Sequence, residues 1–210
     1  MIESHYWRVE LKNDLAWLRK HQKYRRWSEK QLVLFERKLI LVAFQVRSLL
    51  DHLKVNDQAR CACMPVLRFR KVGERPFTRL GPGWPEDRFD MEYPEKSNLP
   101  VVAVCNQLIH HYWMQTASEQ QRFYSMLVFS DYSRNKWAYE LKITDLLALF
   151  GIFADDSSAV ASIQCQWDQK KQDYVVVQAS GSGGHTAYQA NAGDAVPAPL
   201  VFGVRDRTKD

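Results

Sequence analysis

The feature that most constrains this chain is a hydrophobic seam between residues 32 and 53. Leu32, Phe35, Leu39, Val42, Val46, Leu49 and Leu53 follow one another at spacings that alternate between three and four. A repeat of seven holds one apolar stripe against a neighbour, so the seam predicts a long helix packed at a shallow angle on other helices. Ser28 and Gln31 precede it at capping-box spacing, in which each side chain satisfies an amide that the helix start leaves unpaired. Leu34, Ile40, Leu41 and Phe44 lie off the seam, so helix 29–53 is apolar on more than one side. One side fits the middle of a helical bundle, and the second predicts a homodimer contact.

The flanks are read around this helix. Trp7, Leu11, Leu15 and Leu18 predict an amphipathic helix over 4–25. Residues 59–98 hold five of the eight prolines and show no helical period. They are expected to form a long loop wrapping the bundle, with one short strand at 66–72. Arg68 and Arg70 in this loop are candidate RNA contacts. A third helix is expected at about 99–117, opened by Pro100. Residues 123–129 and 136–143 read as two strands around the turn SDYSRN, and Thr144 is the expected cap of a short helix over 145–153. Ala161, Ile163, Cys165 and Trp167 alternate, then DQKKQD turns the chain into YVVVQA, which predicts a hairpin. The Gly/Ala-rich stretch 181–200 has the composition of a flexible linker. The expected fold class is α+β: mainly a bundle of about four helices, with small antiparallel β elements in the C-terminal half. The expected organisation is a helical domain over 1–155 that includes the loop 59–98, a hairpin appendage over 156–180 and a tail over 181–210.

Composition narrows the class. Hydrophobic residues at 46%, aromatics at 12% and charged residues at 25% describe a folded chain rather than a disordered one. No apolar stretch reaches the length of a membrane span, and the N-terminus has no apolar run of the secretory kind, so a cytoplasmic protein is expected. The four cysteines are then expected as thiols. Cys61-Ala-Cys63 has no second pair at ligand spacing, so neither a metal site nor a cofactor is implied. The positive charge is concentrated in the first ninety residues, most densely at Arg19, Lys20, Lys23, Arg25, Arg26 and Lys30. That cluster fits a solvated helix end or a contact with RNA or an acidic partner, and Arg25 and Arg26 are its candidate binding residues.

The chemistry-bearing string is Cys105-Asn106-Gln107-Leu108-Ile109-His110-His111-Tyr112. On a helix, Asn106 and His110 lie one turn apart and share a face. A histidine there can exchange a proton near neutral pH, and the asparagine can orient a phosphate or fix the imidazole tautomer. The same pair can also simply satisfy each other at a helix crossing.

The string resembles the signature of HEPN domains, helical bundles whose usual pattern is Arg-Asn-x-x-x-His, extended in the toxin branch to Arg-Asn-x-x-x-His-x-Tyr. The resemblance implies a metal-independent endoribonuclease of the toxin or defence kind. His110 would transfer the proton, Asn106 would orient, and two copies would join their motifs at a dimer cleft. Tyr112 matches the tyrosine that a partner nucleotidyltransferase can modify. Cys105 stands where the arginine should be and brings no positive charge to a phosphate. Either Arg47 or Arg37 of the preceding helix replaces it, with His111 as a further cation, or the domain binds RNA, a nucleotide or a protein partner without cleaving. The binding module is the expectation. An interaction domain with no activity is the remaining reading.

Overall fold

The computed structural model describes residues 4–24, 26–52, 54–78, 84–119, 122–156, 160–181 and 200–203. Two long helices open the chain, α1 (Ser4–His21) and α2 (Glu29–Asp51). In α1, Leu11, Leu15 and Leu18 are fully buried. In α2, Phe35, Leu39, Val42, Val46 and Leu49 of the seam are buried as the repeat requires. The capping box forms: the Gln31 amide donates to Ser28 Oγ at 3.3 Å, and the Ser28 amide donates to Gln31 Oε1 at 2.9 Å. Trp17 on Phe35, Trp7 on Phe44 and the Lys38–Asp14 ion pair join α1 to α2.

Beyond α2 the helical-bundle expectation fails. A short helix, α3 (Asp57–Arg60), leads into β1 (Cys63–Arg70). Then come β2 (Glu95–Pro100), α4 (Val101–Ile109), β3 (His111–Glu119), β4 (Arg122–Ser130), β5 (Trp137–Lys142) and α5 (Ile143–Asp155). The five strands form one antiparallel sheet in the order β2-β1-β5-β4-β3. The architecture is α+β with this sheet at its centre, not mainly a helical bundle and not a bundle of the HEPN kind. The helix expected over 99–117 is split: α4 ends at Ile109, and His111–Glu119 is an edge strand. The cause is tertiary. Trp113 and Gln115 pair with Phe129 and Leu127 of β4, and the Asp131 amide takes the His110 carbonyl at 3.0 Å. Helical propensity is a weak prior against such pairing. The expected cap Thr144 lies inside α5, with Lys142 at the N-cap and the Thr144 hydroxyl on Asp145.

The sheet has two differently covered faces, as its period of two allows. Met64, Val66, Met126, Val128 and Leu141 join the helices in the main core. Phe69, Leu127, Phe129 and Ala138 point the other way, where Phe77 and Phe89 from the segment between β1 and β2 cover them. Phe77 stacks on Phe129 with centroids 4.6 Å apart. The Pro-rich segment therefore wraps the far side of a sheet, not a bundle. Asp156, just beyond α5, closes the main core: its carboxylate accepts the Asn56 amide at 2.8 Å and the Asn56 side chain at 3.2 Å, with Arg8 3.9 Å away.

β6 (Val160–Asp168) and β7 (Asp173–Gly181) form an antiparallel hairpin, and β8 (Leu200–Gly203) adds to β6. Of the linker expected over 181–200, residues 182–199 lie outside the described residues. No helix among the described residues is long and apolar enough to cross a membrane.

Candidate functional site

The residues singled out around α4 come together only in part. Arg47 of α2 does reach Asn106: its Nη1 donates to Asn106 Oδ1 at 3.1 Å. Its Nε donates to both carboxylate oxygens of Asp51 at 2.9 Å, one helical turn on. The guanidinium is thus already held by an acid and an amide. His110 is the C-cap of α4, with φ −102° and ψ 30°, so it leaves the helix on which Asn106 sits. Its ring is exposed and meets the Tyr132 ring edge-on, with centroids 5.4 Å apart. Asn106 pairs with Arg47, not with the His110 imidazole.

Cys105 is fully buried between α2 and the sheet. Burial pushes its thiol up to about 12, with the Arg47 charge pulling the other way. The position expected to carry a phosphate-binding arginine is therefore a core position. His111 opens β3, with Nδ1 2.8 Å from the Leu108 carbonyl. That contact makes Nδ1 the protonated nitrogen of the neutral ring. His111 also influences Glu36 of α2, whose carboxyl is raised by burial and lowered in part by this histidine. Tyr112 is not on a helix. It joins the aromatic cluster around Phe77, and the Arg134 guanidinium lies 4.1 Å from its ring centroid. Arg26 is exposed in the segment between α1 and α2, and Arg25 lies outside the described residues.

A second constellation forms on the sheet. Arg68 pairs across the strands with Tyr139, and Arg70 pairs with Trp137. Directly opposed residues share a face, so two arginines and two aromatics make a square on β1 and β5. The Arg68 guanidinium lies 4.1 Å from the Trp137 ring centroid and donates to Glu95 of β2 at 2.6 Å. Burial raises the Tyr139 hydroxyl, and Arg68 partly offsets this. Arg70 and the neighbouring Lys136 are exposed. Sequence reasoning named Arg68 and Arg70 but missed Trp137 and Tyr139. Both strands were expected, at 66–72 and 136–143, but their pairing and register were not.

Among the described residues, no group of three or more His, Cys, Asp or Glu side chains is arranged to hold a metal ion. No family model, curated protein or solved structure matches the chain. The HEPN resemblance is thus left with a few residues of one string, which the fold divides between a helix, its cap and a strand.

Proposed function

We propose that the protein is a nucleic-acid-binding module that holds a single strand on the Arg68–Arg70–Trp137–Tyr139 square. The observation that carries this reading is the Arg68 guanidinium lying over Trp137, with exposed Arg70 directly across from the same indole. Flat aromatic and guanidinium surfaces stack bases of any sequence, and neighbouring cations take the phosphates. Arg70 and Lys136 are the phosphate contacts in this reading. Glu95 holds Arg68 flat and leaves the other two cations to the backbone of the strand. Binding without cleavage is supported by the state of Arg47, which Asp51 and Asn106 already occupy, so this arginine is not committed to a phosphate beside His110.

The module acts as a homodimer in this reading, through the second apolar side of α2. Val33, Leu41 and Phe44 are exposed at 56%, 44% and 53% on one side of that helix. Light scattering at tens of micromolar tests the dimer: a mass of twice 24.6 kDa is expected, and the monomer mass contradicts it. Fluorescence anisotropy with a labelled 12-nucleotide RNA tests the binding. Saturable binding that Trp137→Ala weakens supports the proposal, and equal binding by the variant contradicts it.

A further inference from the structure

The far face of the sheet carries a second feature, independent of the nucleic-acid reading. Cross-strand register aligns one row over all five strands: Lys96 on β2, Leu67 on β1, Glu140 on β5, Leu127 on β4 and Gln115 on β3. Polar and apolar side chains alternate along it. The segment carrying Phe77 and Phe89 covers the neighbouring row of Phe69, Ala138 and Phe129 and reaches Leu127 of this one, while Lys96, Leu67 and Glu140 line a cleft. A cleft of about 550 Å³ opens over Leu67, Lys96, Glu140 and Lys142, and a second of about 210 Å³ over Leu127, Gln115 and Glu140. Glu140 lines both.

Two facts mark the groove as more than a bare sheet face. Glu140, between two apolar neighbours, is held in place by the Ser125 hydroxyl, which donates to it. The Gln115 side-chain oxygen is buried, and among the described residues it has no hydrogen-bond partner. A buried acceptor left unpaired costs about 1–3 kcal/mol, and a donor from a ligand would recover this. The groove therefore presents two acceptors, Glu140 and Gln115, with apolar carbon between them. One ammonium group, that of Lys96, stands at its other end, whereas the Lys142 ammonium lies 5.6 Å from the Tyr124 ring centroid on β4.

We propose that this groove binds a short peptide with free termini and an apolar side chain. Its ammonium group sits on Glu140, its carboxylate lies on Lys96, and its side chain lies on Leu67. The spacing fits. Lys96 and Glu140 are two strand separations apart, roughly 10 Å. Three extended residues span about the same length. The volume of the larger cleft lies within the range of ordinary ligand sites.

The test is calorimetric titration of the full chain with the tripeptide Ala-Leu-Ala, its N-acetylated form and its C-terminal amide. The expected result is binding of the free peptide, with at least tenfold weakening on acetylation and on amidation. Glu140→Gln should reproduce the effect of acetylation, and Lys96→Met that of amidation, while both variants keep wild-type RNA binding on the opposite face. No binding of the free peptide, or equal binding of all three forms, overturns the proposal. The capped peptides probe the wild-type protein, so the test survives even if Glu140→Gln fails to fold.

Discussion

Arg47 on α2 donates from Nη1 to Oδ1 of Asn106 on α4, across 3.1 Å, while its Nε holds Asp51. This contact fixes the meaning of the motif around α4. An arginine does stand beside the asparagine, but it is engaged as a strut between two helices. Arg47→Ala is therefore expected to destabilise by about 1.5–3 kcal/mol, the scale of hydrogen bonds to a charged group. A double-mutant cycle with Asn106→Ala should show coupling in urea unfolding. Additive losses would contradict the strut.

The Asp156 carboxylate is buried and holds the start of α3, with Arg8 alongside. Removing one member of a buried charged network leaves the other uncompensated, typically at about 3–5 kcal/mol. Asp156→Ala is expected to lie in that range by chemical denaturation. A loss below about 1 kcal/mol would show that Asn56 and Arg8 find other partners.

Burial raises the Glu36 carboxyl above its ordinary 4.5, and His111 offsets only part of that. A raised acid favours the folded state while it is protonated. That contribution is complete below the unfolded value and is lost as pH rises through the folded one. Glu36→Gln should thus raise Tm at pH 7 and leave it nearly unchanged below about pH 4. A lower Tm at pH 7 would mean that the His111 attraction outweighs burial.

Cys61 and Cys63 are exposed thiols, whereas Cys105 is buried and pushed up to about 12. The thiolate is the reactive form, so Ellman's reagent should label Cys61 and Cys63 quickly and Cys105 only on unfolding. Cys105→Arg is expected to unfold the protein rather than endow it with ribonuclease activity, because it forces a charge into the main core. A folded, RNA-cleaving Cys105→Arg variant would reverse this assignment.

Sequence showed the helices better than it showed the sheet. The seam of α2 and the Ser28–Gln31 box are local patterns, and both form. The strands 123–129 and 136–143 were also readable from the turn formers SDYSRN between them. What was hidden is non-local. His111–Glu119 carries a helix-compatible start and becomes a strand because β4 offers it an edge. Phe77 and Phe89 sit in a Pro-rich stretch with no period, yet they cover a sheet face. The eight-residue string suggested one helix carrying Asn106, His110 and Tyr112, with the first two on one face. The chain instead ends that helix at Ile109 and sends the three side chains to Arg47, Tyr132 and Arg134. Trp137 and Tyr139 become partners of Arg70 and Arg68 only through a register that no spacing in the sequence declares.

The central claim is that the square on β1 and β5 holds a single strand, and its most direct test is the salt dependence of RNA affinity. For single strands, the slope of log K against log salt is about −0.7 per phosphate contacted. With Arg70 and Lys136 as contacts, a wild-type slope of roughly −1.4 is expected, and Arg70→Ala should reduce its magnitude by about 0.7. Trp137→Ala should keep the slope and lose about 1–3 kcal/mol, the worth of one stacked base. Wild-type affinity and slope retained in both variants would place any RNA binding elsewhere and contradict the account.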